Sequence, residues 1–436
     1  MNKKLIVLGG IALSASGTVQ SAEWGDLNWG LEVRSHYRYS EENRFATEFP
    51  FPPEALPVGD DSAFLETVDA GDHLEVSMLA LLGKWQFSER WAAQFRLEAF
   101  DKYERNPTST DHKFGVDTLF IRYGEHFHAM QMPTEPSFYA QLGKFPKMER
   151  QRARRTESYG LVSTAFNRFE DSGLEAGFDL PSGIYGKISW TTGNPVFMRD
   201  PNALAGDNGT PARQPPLENP DPELKSGIVI LYDAEIESFD LNDYPEYGAA
   251  LGYRWQSVDQ TQRFDAMFYG YQRELAEERS LHGTFYGTDL DIFDLGEVPG
   301  AGGIRLPAQG NDKTEYGLNI WYEQRGFALF AQWVEQEMAG LGRSGQEVEL
   351  SYVIDLPKKL TPVLRYSTID NDFQGTPNYP APSVWWDWDK VDVGVNLDFS
   401  SAWRLTFEYS FNDFVDDDGN KGDNNEGLVT LRWRYL

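Results

Sequence analysis

The sequence predicts an all-β fold, specifically a transmembrane antiparallel β-barrel. Its clearest strand, residues 403–411, reads W-R-L-T-F-E-Y-S-F, in which apolar and polar residues alternate. Successive side chains of a strand point to opposite faces, so one face of this strand is apolar and the other is polar and charged. The alternation recurs in many segments of roughly ten residues, as a barrel with lipid outside and water inside requires. A soluble β-sandwich is the alternative.

Alternation and turn residues together predict about sixteen strands. They cover residues 27–39, 73–87, 91–101, 114–124, 137–145, 172–180, 184–192, 247–257, 262–273, 314–324, 327–337, 347–356, 361–369, 390–400, 403–413 and 427–436. Short turns alternate with long polar connections at 40–72, 102–112, 146–171, 193–246, 274–312, 338–346, 370–389 and 414–426. Bacterial barrels have an even strand number, short periplasmic turns and long external loops, so both termini are expected in the periplasm.

One apolar run, residues 228–232, does not fit this series. If it were a barrel strand, the tight turn at 257–261 would be external and the long segment 274–312 would be periplasmic. We therefore assign the run to the large loop 193–246. A weak partner strand within 233–246 would raise the number of strands to eighteen.

The N-terminus has the features of a secretory signal peptide. Two lysines precede an apolar run at 5–13, and small and polar residues follow as far as residue 22. The apolar run is too short to span a membrane. Residues 1–22 are therefore expected to be a signal peptide and residues 23–436 a single barrel domain. An exported barrel belongs in the outer membrane of a Gram-negative bacterium, with the barrel-assembly machinery and outer-membrane lipid as partners.

Composition excludes several kinds of partner and site. The formal net charge of -29 argues against nucleic acid as a partner. The absence of cysteine removes disulfides and thiolate metal sites from consideration. Aromatic residues make up 14% of the chain, which suits aromatic girdles at the two membrane interfaces.

The strand phases assign charged residues of both signs to the inner face. The predicted lumen-lining residues are Arg96, Glu98, Lys187, Arg254, Arg263, Arg365, Asp392, Arg404, Glu408, Arg432 and Arg434. The same phases place Glu175, Asp179, Asp265, Glu349 and Asp398 inside. Eight strands would leave an interior filled by side chains, whereas sixteen leave an aqueous lumen.

The whole predicted barrel resembles the sixteen-stranded porins of Gram-negative outer membranes. The segment 139–150, Y-A-Q-L-G-K-F-P-K-M-E-R, resembles the phosphate-selective porin O and P family, with Gly143, Lys144, Phe145 and Pro146 at the end of the strand. The resemblance implies that the following third external loop, 146–171, folds into the pore and sets its constriction. It also implies a homotrimer.

The third loop reverses the charge of the chain locally. Its five cations within nine residues are Lys147, Arg150, Arg152, Arg154 and Arg155. Only Glu149 and Glu157 oppose them nearby in the sequence. At a narrow, partly desolvated constriction such a cluster favours anions, because arginine can bind carboxylate or phosphate in a two-pronged contact.

Two other roles remain open for these cations. They could pair with lumen carboxylates such as Glu98 or Asp392 and attach the loop to the wall. They could instead face outward and bind the phosphates of lipopolysaccharide. Attachment and selectivity are compatible, since a paired arginine can keep donors for a solute.

Three weaker signals favour ordinary structural roles. His126 and His128 suggest a metal site but have no nearby ligand partner in the sequence, and Asp416–Asp423 fails the spacing of a calcium-binding EF-hand loop. Neither supports a metal site, and no cofactor is predicted. Trp385, Trp386 and Trp388 suggest an interfacial girdle, with sugar stacking at a pore mouth as the alternative.

The sequence therefore predicts a channel rather than an enzyme. No G-x-S-x-G segment occurs, and the chain has only six histidines. The predicted function is passive diffusion of small hydrophilic, mainly anionic, solutes through a porin with a basic constriction. The alternative is a dedicated channel for an acidic oligo- or polysaccharide, similar to the alginate export barrels, which have somewhat more strands.

Overall fold

The structure is a computed structural model of the 436-residue chain. It describes residues 26–41, 44–47, 63–66, 71–100, 114–125, 131–151, 154–166, 170–193, 196–199, 230–233, 244–274, 281–285, 288–291, 311–372, 386–415 and 419–435. The expected signal peptide lies outside these residues.

Sixteen antiparallel strands form one closed barrel. They are β1 (Asp26–Ser40), β2 (Gly71–Gln86), β3 (Trp91–Phe100), β4 (Phe114–Gly124), β5 (Ser137–Pro146), β6 (Glu170–Asp179), β7 (Ile184–Thr191), β8 (Glu246–Gln256), β9 (Gln262–Glu274), β10 (Asp312–Gln324), β11 (Phe327–Met338), β12 (Leu341–Tyr352), β13 (Lys359–Asn371), β14 (Asp387–Asp398), β15 (Trp403–Val415) and β16 (Glu426–Tyr435). A short helix, α1 (Leu161–Ala165), follows β5. Each strand pairs with the next, and β16 closes the barrel on β1, with Tyr435 opposite Leu31. The predicted fold class is confirmed.

The sixteen predicted strands correspond to the sixteen observed ones, and only β12 differs by more than a few residues. The predicted long loop at 338–346 is wrong, because β11 and β12 are joined by a two-residue turn. Ala339 and Gly340 both have positive φ, 47° and 78°, as tight hairpin turns of this kind require. The first half of β12 contains Gly342, Ser344 and Gly345, so its sequence carries no clear apolar alternation.

The apolar run in the large loop belongs to a separate small sheet. Strand Ile230–Asp233 pairs with Val196–Arg199 on one side and with Leu281–Phe285 on the other, and Thr288–Asp291 completes the four strands. Residues 230–232 of the run are therefore outside the barrel, as predicted, whereas 228 and 229 lie outside the described residues. The barrel has sixteen strands rather than eighteen. Three further short strands, Arg44–Thr47, Ala63–Glu66 and Lys421–Asp423, also lie in connections.

The two faces of the barrel differ as the alternation predicts. On β15, the outward side chains of Trp403, Phe407 and Phe411 are exposed by 43%, 45% and 46%, whereas Glu408 and Ser410 on the other face are buried. The apolar outer face identifies a multi-pass outer-membrane barrel. Among the described residues, no helix has the length and apolar composition that crossing a bilayer demands.

Aromatic side chains form a band at the end of the barrel with the short turns. Trp29 lies 5.4 Å from Tyr435 between ring centroids, and Trp91 lies 5.1 Å from Tyr123. All are on the outer face and partly or fully exposed. Such a band is typical of a membrane interface, where aromatic rings contact lipid headgroups.

The predicted girdle role of Trp386 and Trp388 is wrong. Both side chains are buried, and Trp386 stacks on Phe414 with a centroid distance of 4.6 Å. Trp388 has the same strand phase as Lys390 and Asp392, which face inward. Its side chain therefore packs on the inner face of the barrel instead of against lipid. Trp385 lies outside the described residues.

Replacing Val393 with lysine should destabilise the barrel. Val393 is 48% exposed on the outer face near the middle of β14, and a lysine at the bilayer midplane costs about 2–4 kcal/mol. Denaturant unfolding of the protein in lipid vesicles measures this loss. Val258, which is fully exposed in the tight turn after β8, provides the control. Val258→Lys should change the free energy of unfolding by less than about 0.5 kcal/mol. Equal losses in the two variants would contradict a lipid-facing Val393.

Candidate functional site: the third loop and the inner wall

The described part of the third loop, residues 147–151 and 154–166, lies inside the barrel. Near its start, the Met148 N–H donates a hydrogen bond to the Tyr271 hydroxyl on β9 at 3.2 Å. The Glu149 carbonyl accepts one from the side chain of Asn319 on β10 at 2.6 Å. Both contacts are buried, so the loop leaves β5 and runs along the inner face of strands that lie several positions away.

The far end of the loop is held by buried charges. Glu408 on β15 accepts hydrogen bonds from the N–H groups of Glu157 at 2.7 Å and Ser158 at 3.1 Å. Arg365 on β13 donates to the Ser158 carbonyl at 3.0 Å and forms an ion pair with Asp392 at 2.7 Å. A buried carboxylate needs donors, and loop backbone away from water needs partners. The wall charges and the loop backbone thus supply each other's hydrogen-bond partners.

Helix α1 completes the attachment by packing its apolar side against the wall. Leu161, Val162 and Phe166 are at most 4% exposed. Gly345 on β12 makes room for them, since a Cβ at that position would lie 2.8 Å from Phe166 and 3.1 Å from Val162. The short apolar segment after Gly160 therefore fits a notch in the inner wall.

Lys147, a predicted constriction residue, is buried in an ion pair. Its Nζ lies 2.7 Å from Glu246 on β8 and 4.2 Å from the centre of the Tyr271 ring. Burial alone would lower the pKa of Lys147, but the charges of Glu246 and Glu149 raise it above its ordinary value. Glu246 also pairs with Lys313 at 2.7 Å. Lys147 therefore fastens the loop to the wall and presents no charge to a solute.

The other predicted loop cations have different surroundings. Arg150 is 27% exposed, forms an ion pair with Glu170 and approaches Asp117 to 3.9 Å. The Arg154 guanidinium lies 3.6 Å from the centre of the Tyr159 ring. Arg155 is partly exposed, and its carbonyl accepts a hydrogen bond from the Asn396 side chain on β14 at 2.8 Å. Arg152 lies outside the described residues.

Most of the predicted lumen charges near the loop form ion pairs with one another. Arg254 on β8 pairs with Asp179 and with Asp265, the latter at 3.0 Å, and all three are buried. Lys187 on β7 is buried on the same inner face. On the opposite side of the loop path, Arg365 pairs with Asp392, as described above. Arg254 and Arg365 are thus neutralised by pairing, and neither they nor Lys187 is accessible.

Two further predicted lumen arginines lie elsewhere on the inner face. Arg96 on β3 pairs with Glu98 and lies 3.6 Å from Asp117. Arg263 at the periplasmic end of β9 lies 3.9 Å from Glu323, and both side chains are about 40% exposed. Arg263 therefore sits at a pore end rather than near the loop.

Three arginines form a row at one level of the wall, here called the arginine row: Arg404, Arg432 and Arg34. Arg404 on β15 is directly opposite Arg432 on β16, and Arg432 is directly opposite Arg34 on β1. Like charges directly opposite each other across strands destabilise a sheet unless other groups compensate them. Arg404 lies four residues nearer the periplasm than Glu408, so the row is on the periplasmic side of the loop anchor.

Carboxylates partly compensate the arginine row. Arg404 binds Asp398 at 2.6 Å, and Arg34 binds both Glu32 at 2.6 Å and Glu157 of the loop at 2.9 Å. The loop therefore reaches β1 as well as β15. Burial alone would raise the pKa of Glu157, but Arg34 and Arg154 hold that pKa below its ordinary value of 4.5. Glu157 is thus an ionised link between loop and wall.

Sequence reasoning missed several members of this arrangement, among them Arg34, Asp117 and Tyr271. Arg34 could have been found, because it alternates with His36 and Arg38 on one face of the first strand. Asp117 sits where the pairing of β3 and β4 shifts register between Arg96 and Leu97, and such a shift has no clear signal in the sequence. Tyr271 looks like any other strand aromatic.

The structure does not test the two weaker metal-site signals of the sequence. His126, His128 and residues 416–418 lie outside the described residues. The part of the chain that is described contains no group of three or more histidine, aspartate or glutamate side chains arranged to hold a metal ion.

Comparison with known proteins identifies the fold. A scan against protein-family models and a search of curated proteins both gave no match. Among solved structures, OprB of Pseudomonas putida matches with a TM-score of 0.53 and 8% identity, over 97% of each chain. The outer membrane channel DcaP of Acinetobacter baumannii matches with a TM-score of 0.50 and 9% identity, over 94% of this chain and 97% of that one. At these identities the likeness establishes a shared barrel fold and nothing further.

Removing the charge of Glu157 should loosen the end of the loop. Because the pKa of Glu157 is lowered by the fold, its ion pair stabilises the protein fully above pH 4.5, and this stabilisation is lost as the pH falls below that value. Hydrogen exchange, corrected for the intrinsic pH dependence, should show protection of residues 156–160 falling on acidification. Glu157→Gln should lose protection at neutral pH and respond less to acid.

Glu323→Gln supplies the matched control for that experiment. It breaks the half-exposed pair with Arg263, which is remote from the loop, so protection of residues 156–160 should stay at the wild-type level. If Glu157→Gln matched this control at neutral pH, the Glu157–Arg34 pair would not hold the loop.

Proposed function

We propose that this protein is an outer-membrane porin that lets small hydrophilic, mainly anionic, solutes diffuse passively through its barrel. Sixteen strands enclose more space than wall side chains fill, which supports a water-filled path. The third loop occupies part of that space and narrows the path. The proposal includes no catalytic step and no cofactor.

The observation that carries the proposal is the attachment of the loop inside the barrel. Glu408, Arg365 and Glu246 hold it from both ends through buried contacts. A loop held in this way keeps a fixed shape, so its remaining accessible cations have fixed positions. Arg154 and Arg155 are the partly exposed ones without a carboxylate in an ion pair among the described residues.

Anion preference follows from where the uncompensated charge lies. Buried pairs neutralise Asp392 and Glu246 near the two ends of the loop. Arg154 and Arg155, by contrast, are in no ion pair among the described residues. In a narrow, partly dry passage such charges act over a short distance with little screening. Their field raises the local concentration of anions and lowers that of cations. The strongly negative charge of the chain as a whole does not oppose this, since screening limits its reach to about 10 Å.

The alternative, a dedicated channel for an acidic oligo- or polysaccharide, receives less support. The export barrels that suggested it have somewhat more strands, whereas this barrel has sixteen. Assembly as a homotrimer and contact with lipopolysaccharide are part of the proposal through the resemblance to porins. Cross-linking of the purified protein in detergent tests the trimer directly.

The loop arginines should control ion selectivity. In a planar bilayer under a salt gradient, the wild-type reversal potential should report anion preference. The double variant Arg154→Ala/Arg155→Ala should shift it toward cations, because the passage then loses its uncompensated positive charge at the loop.

The turn between β12 and β13 offers a control with the same change in net charge. Lys358→Ala/Lys359→Ala removes two cations from the periplasmic turn, where both are exposed. This control should keep the wild-type reversal potential. A cation-selective wild type, or equal shifts in both double variants, would contradict the proposed role of the loop.

Filling the notch under α1 should reduce the conductance. Gly345→Leu places a side chain where Phe166 and Val162 pack, so we expect α1 to move toward the lumen. Single-channel conductance should therefore fall. Val348→Leu, on the outer face of the same strand, should leave it unchanged. An unchanged or increased conductance for Gly345→Leu would contradict a loop that narrows the passage.

A further inference from the structure

We propose that Arg432, at the centre of the arginine row, is a discrete binding site for one small monocarboxylate in transit. This inference rests on the proposed porin function and names a solute class and a place for it. The site is on the barrel wall, separate from the loop cations Arg154 and Arg155.

Arg432 differs from the other arginines of the described barrel strands. Arg34, Arg404 and Arg434 each bind a carboxylate. The Arg432 guanidinium has no hydrogen bond or ion pair to any residue that the structure describes, and its side chain remains partly exposed. It therefore offers a free planar donor group to the lumen.

The charges around Arg432 leave an excess of positive charge. Four arginines meet here, because Arg434 lies two residues from Arg432 on the same face of β16. Three carboxylates bind them, namely Glu32, Asp398 and Glu157. The arginine row is closely spaced, as directly opposed residues of antiparallel strands have Cα atoms about 4.5–5.5 Å apart. A bound anion would offset part of this excess.

The geometry of arginine and the carboxylates around the site favour a monocarboxylate. Guanidinium binds carboxylate through two parallel N–H···O bonds, which adds geometric specificity to charge attraction. A dianion such as sulfate would be repelled more strongly than a monocarboxylate by the nearby carboxylates Glu32, Asp398 and Glu157. The neighbouring fixed arginines need not move, so the site is preformed.

The position of the site suits a solute that has passed the loop. Glu157 connects the loop to Arg34, the direct neighbour of Arg432 in the row. The row lies on the periplasmic side of the Glu408 anchor. An anion drawn in by the loop cations would thus reach Arg432 next, and partial retention there would slow its exit.

Conductance in potassium acetate tests the site, with acetate as the probe. A binding site makes conductance saturate as the acetate concentration rises. Wild type should saturate, and Arg432→Gln should raise the half-saturating concentration about tenfold, as expected for loss of one charge-assisted contact. Asp398→Asn removes the ion-pair partner of Arg404 and so adds an unpaired cation to the site. It should therefore lower the half-saturating concentration. Arg263→Gln, which removes a remote cation, should match wild type.

Each outcome decides the inference. Saturation that is shifted upward by Arg432→Gln and downward by Asp398→Asn supports it. Linear conductance in wild type, or saturation unaffected by Arg432→Gln in a variant that still conducts potassium chloride, overturns it while leaving the porin function intact. Sulfate that saturates more tightly than acetate overturns the monocarboxylate class. If wild type conducts neither salt, the porin function fails, and this inference fails with it.

Discussion

The contact of the third loop with Glu408 determines how the interior of this barrel is divided. Sixteen strands enclose a lumen that wall side chains alone do not fill. The loop enters it, and its backbone N–H groups at Glu157 and Ser158 need acceptors away from water, which the buried Glu408 carboxylate supplies. Arg365 then binds the loop carbonyl at Ser158 and the carboxylate of Asp392. Removing any one of these groups would leave a buried charge or donor unpaired.

This division explains why the inner charges fall into two kinds. Arg254, Lys147 and Arg365 are buried in ion pairs that hold strands and loop together. Arg154, Arg155 and Arg432 are partly exposed residues that form no ion pair with a carboxylate among the described residues. Because a paired and buried charge attracts solutes weakly, the count of basic residues says little about selectivity. What matters is which ones the fold leaves uncompensated.

The barrel was predictable from the sequence because strand phase is a local property. The spacing of Trp403, Phe407 and Phe411 within one segment shows which face of the strand is apolar. The two-residue turn at Ala339–Gly340 was missed because glycines interrupt the alternation after it. The site was less predictable, since pairing joins residues far apart in the chain. Nothing near Lys147 in the sequence indicates that it pairs with Glu246. Nothing near Arg432 indicates that the neighbouring arginines pair with the carboxylates around it. Trp388 could have been assigned correctly, because its phase matches Asp392.

We expect Arg432 to face an open aqueous path, whereas Lys147 is buried between the loop and the wall. Single-cysteine accessibility tests this contrast most directly, because the native chain contains no cysteine. A small anionic thiol reagent should react rapidly with the Arg432→Cys variant in a conducting bilayer and reduce its current. The Lys147→Cys variant, at a site only 4% exposed, should leave the current unchanged. Rapid block of Lys147→Cys together with an inert Arg432→Cys would contradict the account.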